Sequence, residues 1–114
     1  MTYQMYLAED PFNLILLGKK VIEMRLLTPE REKIKPGDYI EFTNQKNNQK
    51  LLVLVLKIDR FTSFDELYDR YDHRLLGYNT RDEGKADDML IYYQKENIQK
   101  YGVIAIHIQV VKKV

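Results

Sequence analysis

Eight residues, Leu51 to Ile58, constrain the fold more than any other stretch of this chain. The run Leu-Leu-Val-Leu-Val-Leu-Lys-Ile is the most apolar in the sequence, yet it falls far short of the roughly 20 residues that a membrane-spanning helix needs. Its length and the polar segment before it mark it as a strand. A strand this apolar is expected at the centre of a sheet, covered on both faces. With 114 residues the chain can bury one hydrophobic core around such a sheet, so a single domain over 1–114 is expected.

The other elements follow from local punctuation. Tyr3 to Leu7 reads as a short strand. Asp10 followed by Pro11 reads as a helix start, an N-cap acceptor before a proline at the first helical position. Phe12, Ile15 and Leu16 share one face of that helix, and Gly18 ends it. Val21 to Leu27 reads as a strand that Thr28-Pro29-Glu30-Arg31 breaks, because proline cannot sit inside a paired central strand. Lys35-Pro36-Gly37-Asp38 is a turn that feeds a strand over Tyr39 to Phe42, and Asn44 to Gln49 is a hairpin loop.

Ser63 with Glu66 three residues on has the pattern of a capping box, followed by a helical stripe of Phe64, Leu67, Tyr68 and Tyr71. His73 to Glu83 reads as irregular, and Ala86 to Lys100 as one further helix. Asp87 and Asp88 sit at the positive end of that helix and Lys95 and Lys100 toward its negative end, with Gly102 just beyond. Val103 to Val111 closes the domain as a strand, and Lys112-Lys113 is expected to be a frayed tail. Five or six mostly antiparallel strands with about three helices make an α+β domain, a small curved sheet or barrel with helices packed outside.

Composition excludes several functions. The chain has no cysteine, which removes disulfide, thiolate and Cys-zinc chemistry and fits a cytoplasmic protein. No signal peptide is apparent at Met1 to Asp10. The net charge is only +1, so the whole chain is not an electrostatic nucleic-acid binder. Its charge is unevenly placed: Lys19 to Lys35 carries six basic and three acidic residues, whereas Asp65 to Asp72 carries four acidic and one basic. Such asymmetry either orients an anionic ligand toward the first region or is an ordinary solvated mixed surface. His73 and His107 have no partners at metal-ligand spacing, and no phosphate-binding glycine loop, serine elbow or dinucleotide fingerprint is present. No metal and no cofactor are expected.

The densest chemistry lies in Gly18-Lys19-Lys20-Val21-Ile22-Glu23-Met24-Arg25. Strict alternation places Glu23 and Arg25 on one face of the strand and Lys20 on the other with Ile22 and Met24. Lys20 converges on Glu23 only if the strand begins after it or a bulge re-aims it. If it does, Lys20 and Arg25 can bind phosphate or carbonyl oxygen, and Glu23 can orient a base or move a proton. Otherwise Glu23 and Arg25 are an ion pair on an exposed face, worth little to stability. Glu96 lies at helical spacing from Met89, Tyr92 and Tyr93, where it sits either at the wet edge of the helix or in a cleft. Tyr93 and Tyr101 are either stacking platforms or core.

These segments resemble the ASCH domain family, a branch of the PUA-like β-barrel superfamily. The resemblance runs through Pro11-Phe12, the Gly18 to Leu26 run, Ile34-Lys35-Pro36-Gly37-Asp38, Ser63 to Leu67, Tyr92 to Glu96 and Tyr101 to Ile106. It implies a five- or six-stranded barrel with a cleft between barrel and helices, and Lys20, Glu23 and Arg25 at or near that cleft. It also implies an RNA or nucleotide-like ligand and a link to translation or transcription regulation. The expected ligand contacts are Lys19, Lys20, Glu23, Arg25, Tyr93 and Glu96.

One branch of that family hydrolyses an amide on a modified cytidine, using a lysine that activates a threonine, plus a later glutamate. Lys20 matches the lysine, but Glu23 stands at the threonine position, and a carboxylate does not replace an activated hydroxyl. A hydrolase acting on RNA or a modified nucleoside would use Lys20 and Glu23 as acid and base. A third alternative is a protein-interaction domain that keeps the barrel.

Overall fold

Five strands form one mixed sheet in the order β1-β3-β4-β5-β2. The computed structural model describes residues 1–79 and 84–114. In chain order the elements are β1 (Thr2–Leu7), α1 (Glu9–Leu16), β2 (Ile22–Leu26), β3 (Tyr39–Asn44), β4 (Lys50–Phe61), α2 (Phe64–Arg70), α3 (Lys95–Tyr101) and β5 (Val103–Lys113). Short 3-10 turns cover Arg31–Lys33, His73–Leu76 and Ala86–Ile91. The β1–β3 pair is parallel and the other three pairs are antiparallel. The sheet curls into a half-barrel whose free edges are β1 and β2.

Each face of the sheet buries its own cluster. The inner face carries Ile40, Phe42, Leu51, Val53, Val55, Ile104 and Ile106, and Phe12 and Ile15 of α1 plug it. The outer face carries Ile22, Met24, Leu26, Val103 and Ala105 against Phe64, Leu67 and Tyr68 of α2 and against Met89. The apolar run is the middle strand, as its composition predicts, but it is not covered on both faces. Leu51, Val53 and Val55 are buried while Leu56 is 49% exposed. A bulge between Val55 and Lys57 resets the alternation, so that Ile58 rejoins the inner cluster after the exposed Leu56.

Four local readings are corrected. Helix α1 starts at Glu9, with Ala8 as an N-cap that offers no side-chain bond. Pro11 therefore sits at its third position, where its missing N–H costs no helical hydrogen bond. The segment Ala86 to Lys100 is not one helix: Met89 O accepts from both Tyr92 N and Tyr93 N, and Gln94 is extended at ψ 148° before α3 begins. Tyr93 leaves the helical path to stack on Phe64, with ring centroids 6.1 Å apart and planes 15° from parallel, a tertiary contact that overrides local propensity. Lys112 and Lys113 are not frayed but paired to Leu52 and Leu51. The Ser63 cap is half of a capping box: its hydroxyl accepts from Glu66 N at 3.2 Å, while the Glu66 carboxylate bonds the Thr62 hydroxyl instead of returning to Ser63.

Within the segment expected to be irregular, His73–Leu76 forms a turn, and residues 80–83 lie outside the described residues. Among the described residues no helix is long and apolar enough to cross a membrane.

Candidate functional site

The approach of α1 to β2 decides where Lys20 points. Gly18 (φ 75°) takes a left-handed conformation, Gly18 N donates to Ile15 O and Lys19 N to Leu14 O. This paired closure of the helix end needs a residue that tolerates positive φ. Lys20 N then donates to Leu14 O as well, and Val21 N to Leu75 O, so the strand begins only at Ile22. Lys20 stands outside strand alternation for that reason and can turn toward the same side as Glu23.

Glu23 and Arg25 face the inner side of the half-barrel at its open seam, since Ile22, Met24 and Leu26 take the outer side. Lys20 Nζ lies 3.1 Å from Glu23 Oε1, and Arg25 Nη2 lies 2.9 Å from Glu23 Oε2. Arg25 Nε adds a 3.1 Å bond to the same oxygen, and Met24 N donates to Oε1 at 3.2 Å. Arg25 Nη2 also donates to Tyr6 O at 2.8 Å, which ties edge β2 to edge β1 across the seam. Where the two edges do not pair by backbone, a guanidinium clasps them.

The triad is buried: side-chain exposure is 9% for Lys20, 4% for Glu23 and 13% for Arg25. This corrects the exposed-ion-pair reading. Burial by itself would raise the Glu23 pKa, but Lys20 and Arg25 more than reverse it and hold the carboxyl below its ordinary range. Burial pushes the Arg25 guanidinium down, and Glu23, with the Tyr93 hydroxyl as a further acceptor, pushes it above its usual value. Glu23 is thus an ionised acceptor with both oxygens engaged. An ammonium has three N–H donors, so the pairing of Lys20 with Glu23 leaves donors for a ligand.

A cleft of about 270 Å³ opens over the triad. Tyr6, Pro11, Arg31, Gln45, Met89, Tyr92 and Tyr93 are among the residues that complete its wall. Three cations (Lys20, Arg25, Arg31) and one carboxylate (Glu23) line it, a local charge of two positive in a chain of net charge +1. Tyr6 and Tyr92 are 65% and 56% exposed at its rim. Tyr93 uses one ring face on Phe64, so it is an anchored wall rather than an open platform.

Of the residues singled out in the sequence, the structure brings together Lys20, Glu23, Arg25 and Tyr93. Lys19 is exposed and outside the cleft, and Glu96 is exposed in the first turn of α3. Glu96 loses its place beside Tyr92 and Tyr93 because the chain breaks at Gln94. Sequence reading missed Tyr6, Arg31, Gln45, Met89 and Tyr92 as wall residues. Arg31 belongs to the basic stretch, which was the one usable signal.

Gly77 was missed too. It ends the His73–Leu76 turn at φ 107°, and a Cβ there would sit 3.2 Å from Lys20 Cδ. Its bare backbone lets the Lys20 stem lie flat. Among the described residues no group of three or more His, Asp or Glu side chains could hold a metal ion.

Comparison with known proteins fits this geometry. The ASCH domain model matches residues 5–112. The fold superposes on the crystal structure of hypothetical protein PH0355 with TM-score 0.83 and 36% identity, over 97% of this chain and 100% of that one. It also superposes on the solution structure of PF0455 from Pyrococcus furiosus, with TM-score 0.75 and 34% identity over 98% and 99%. An ASCH protein from Zymomonas mobilis shares the fold at TM-score 0.68 and 14% identity, over 99% of this chain and 72% of that one. No curated protein matches. With a half-barrel of this type and a family match over nearly its whole length, the chain belongs to the ASCH domain family.

Proposed function

We propose that the cleft binds single-stranded RNA or a nucleotide-like ligand. The observation that carries this reading is the buried Lys20–Glu23–Arg25 triad, whose surplus positive charge opens into a cleft rimmed by tyrosines. Cations suit phosphate, and the exposed Tyr6 and Tyr92 rings suit a base by stacking. The cleft is too small for a duplex and fits an unpaired nucleotide. The ligand is held by Lys20 and oriented by the Arg25–Glu23 pair. Membership of the ASCH family supports the same class of ligand and a role in translation or transcription regulation.

The hydrolase reading is weaker. A general base works best with a pKa near the operating pH. Glu23 is displaced the other way, with burial outweighed by Lys20 and Arg25, and both of its oxygens are taken.

The test is fluorescence anisotropy on a short single-stranded RNA, with Lys20→Met and Arg31→Ala as variants and circular dichroism to confirm folding. Losing one charge-assisted contact corresponds to a loss of about tenfold or more in affinity. Wild-type affinity is expected to fall with salt, by a log–log slope of about −0.7 per phosphate contacted. Folded Lys20→Met binding as tightly as wild type, with no dependence on salt, would sink the assignment. Turnover of RNA or acylated cytidine by wild type but not by Lys20→Met would favour the hydrolase.

A further inference from the structure

We propose that the cleft is the first of two subsites, and that a groove along the free edge of β1 takes the next sugar-phosphate unit of a single-stranded RNA. This rests on the reading of the cleft as a nucleotide site. A second depression of about 310 Å³ runs along β1 and includes Tyr3, Gln4 and Glu30 in its wall. It shares Tyr6, Arg25, Arg31 and Gln45 with the cleft, so the two form one continuous channel past the Tyr6 ring.

The chemistry of the groove favours a nucleic-acid strand over a peptide. A peptide would enter by adding a strand to the free edge of β1, through its outward backbone groups. At the cleft end the outward carbonyl of Tyr6 is already used: it accepts from Arg25 Nη2 at 2.8 Å, so a strand added there would meet the guanidinium. The side chains on offer along the groove are two glutamine amides, two tyrosine rings and the Arg31 guanidinium. Arg31 Nη1 donates to Leu26 O at 3.2 Å, which fixes the side chain between the two depressions. An arginine has five N–H donors, and this bond uses one. The fork is thus placed where the phosphate joining two nucleotides would pass. Glu30 is the opposing feature, an exposed carboxylate at the lip of the groove, and it sets a repulsion that can be removed.

The experiment compares a nucleoside 5′-monophosphate with a single-stranded RNA trinucleotide, by calorimetry or by displacement of a labelled RNA. The readout is the ratio of the two affinities. In wild type the trinucleotide is expected to bind about tenfold or more tightly than the monophosphate. The ratio should rise in Glu30→Lys, fall in Gln4→Glu and approach one in Arg31→Ala. A gain of binding in Glu30→Lys cannot be mistaken for misfolding. Monophosphate binding with a ratio near one in wild type and in Glu30→Lys would overturn the groove and leave the nucleotide reading standing. If neither probe binds, the nucleotide reading itself fails and the groove with it.

Discussion

Two polar clusters lie on opposite faces of the same sheet, and only one of them is built like a site. On the inner side, Lys20, Glu23 and Arg25 pack at the seam with an unbalanced positive charge beside a cleft. On the outer side, Asp59 of β4, His107 of β5 and Tyr71 after α2 form a cluster of similar size. His107 Nε2 lies 3.0 Å from Asp59 Oδ2 and 3.1 Å from Tyr71 Oη, and the Tyr71 hydroxyl bonds Asp59.

There the three groups bond one another, with the exposed Lys57 ammonium 3.5 Å from Asp59 Oδ2. Burial alone would raise the Asp59 pKa, but the Tyr71 and His107 bonds more than offset it, and burial together with Asp59 raises that of Tyr71. Asp59 and His107 are each 23% exposed, and neither lines the cleft. Density of ionisable groups therefore does not identify a site. What separates the two clusters is donor capacity left over next to a concavity.

The largest effect is expected from removing the shared anion of the inner cluster. Glu23→Gln leaves Lys20 and Arg25 buried and facing each other without a counter-charge. The loss is expected to be about 3–5 kcal/mol, because breaking a buried ionic set strands the remaining charge. Urea denaturation followed by circular dichroism measures it. The pH dependence sharpens the point. A carboxyl whose folded pKa lies below its unfolded value contributes stability in full above that value. It loses the contribution as pH falls through the folded pKa. For Glu23 this window lies below its ordinary value of 4.5. Wild type should lose stability on acidification there, and Glu23→Gln should show a flatter acid limb. A Glu23→Gln protein as stable as wild type would mean that the triad does not clasp the seam.

Much of the fold was legible because it follows from periodicity and punctuation. The run from Leu51 gave the middle strand, and Ser63 gave the start of α2. The triad was legible only as a conditional, since residue spacing cannot show that the helix end at Gly18 delays β2 until Ile22. Glu96 was misplaced because sequence periodicity does not reveal that Tyr93 is drawn onto Phe64. Tyr6 and Gln45 carried no local signal at all. They join the cleft only because the sheet curls and brings β1 to β2, a contact between residues far apart in the chain.

Gly77→Ala probes the inner cluster from behind, with a smaller effect. A residue with a side chain held at φ 107° is strained by roughly 1–2 kcal/mol, so a stability loss of that size is expected. The added methyl also meets the Lys20 stem at 3.2 Å. Because the ammonium is the group that holds the ligand under the proposed function, RNA affinity should fall a few-fold in addition. Thermal denaturation and anisotropy on the same preparation read both. A stability loss without an affinity loss would mean that Lys20 adjusts freely.

The smallest effect, and the cleanest contrast, is expected from Tyr71→Phe. The substitution deletes one hydroxyl from the outer cluster and leaves the ring that packs edge-on against Phe61 at 6.0 Å. His107 still reaches Asp59 at 3.0 Å, so the carboxylate is not stranded. The hydroxyl's bonds to Asp59 and His107 are both lost, but the two partners keep each other, so the net loss is about 1 kcal/mol, a drop of roughly 3–5 °C in Tm for a domain of this size. RNA affinity and its salt slope should not change, since Tyr71 does not line the cleft. If Tyr71→Phe weakened RNA binding as strongly as Gly77→Ala while the protein stayed folded, the two faces would be coupled through the sheet. The division between a closed cluster and an open one would then fail.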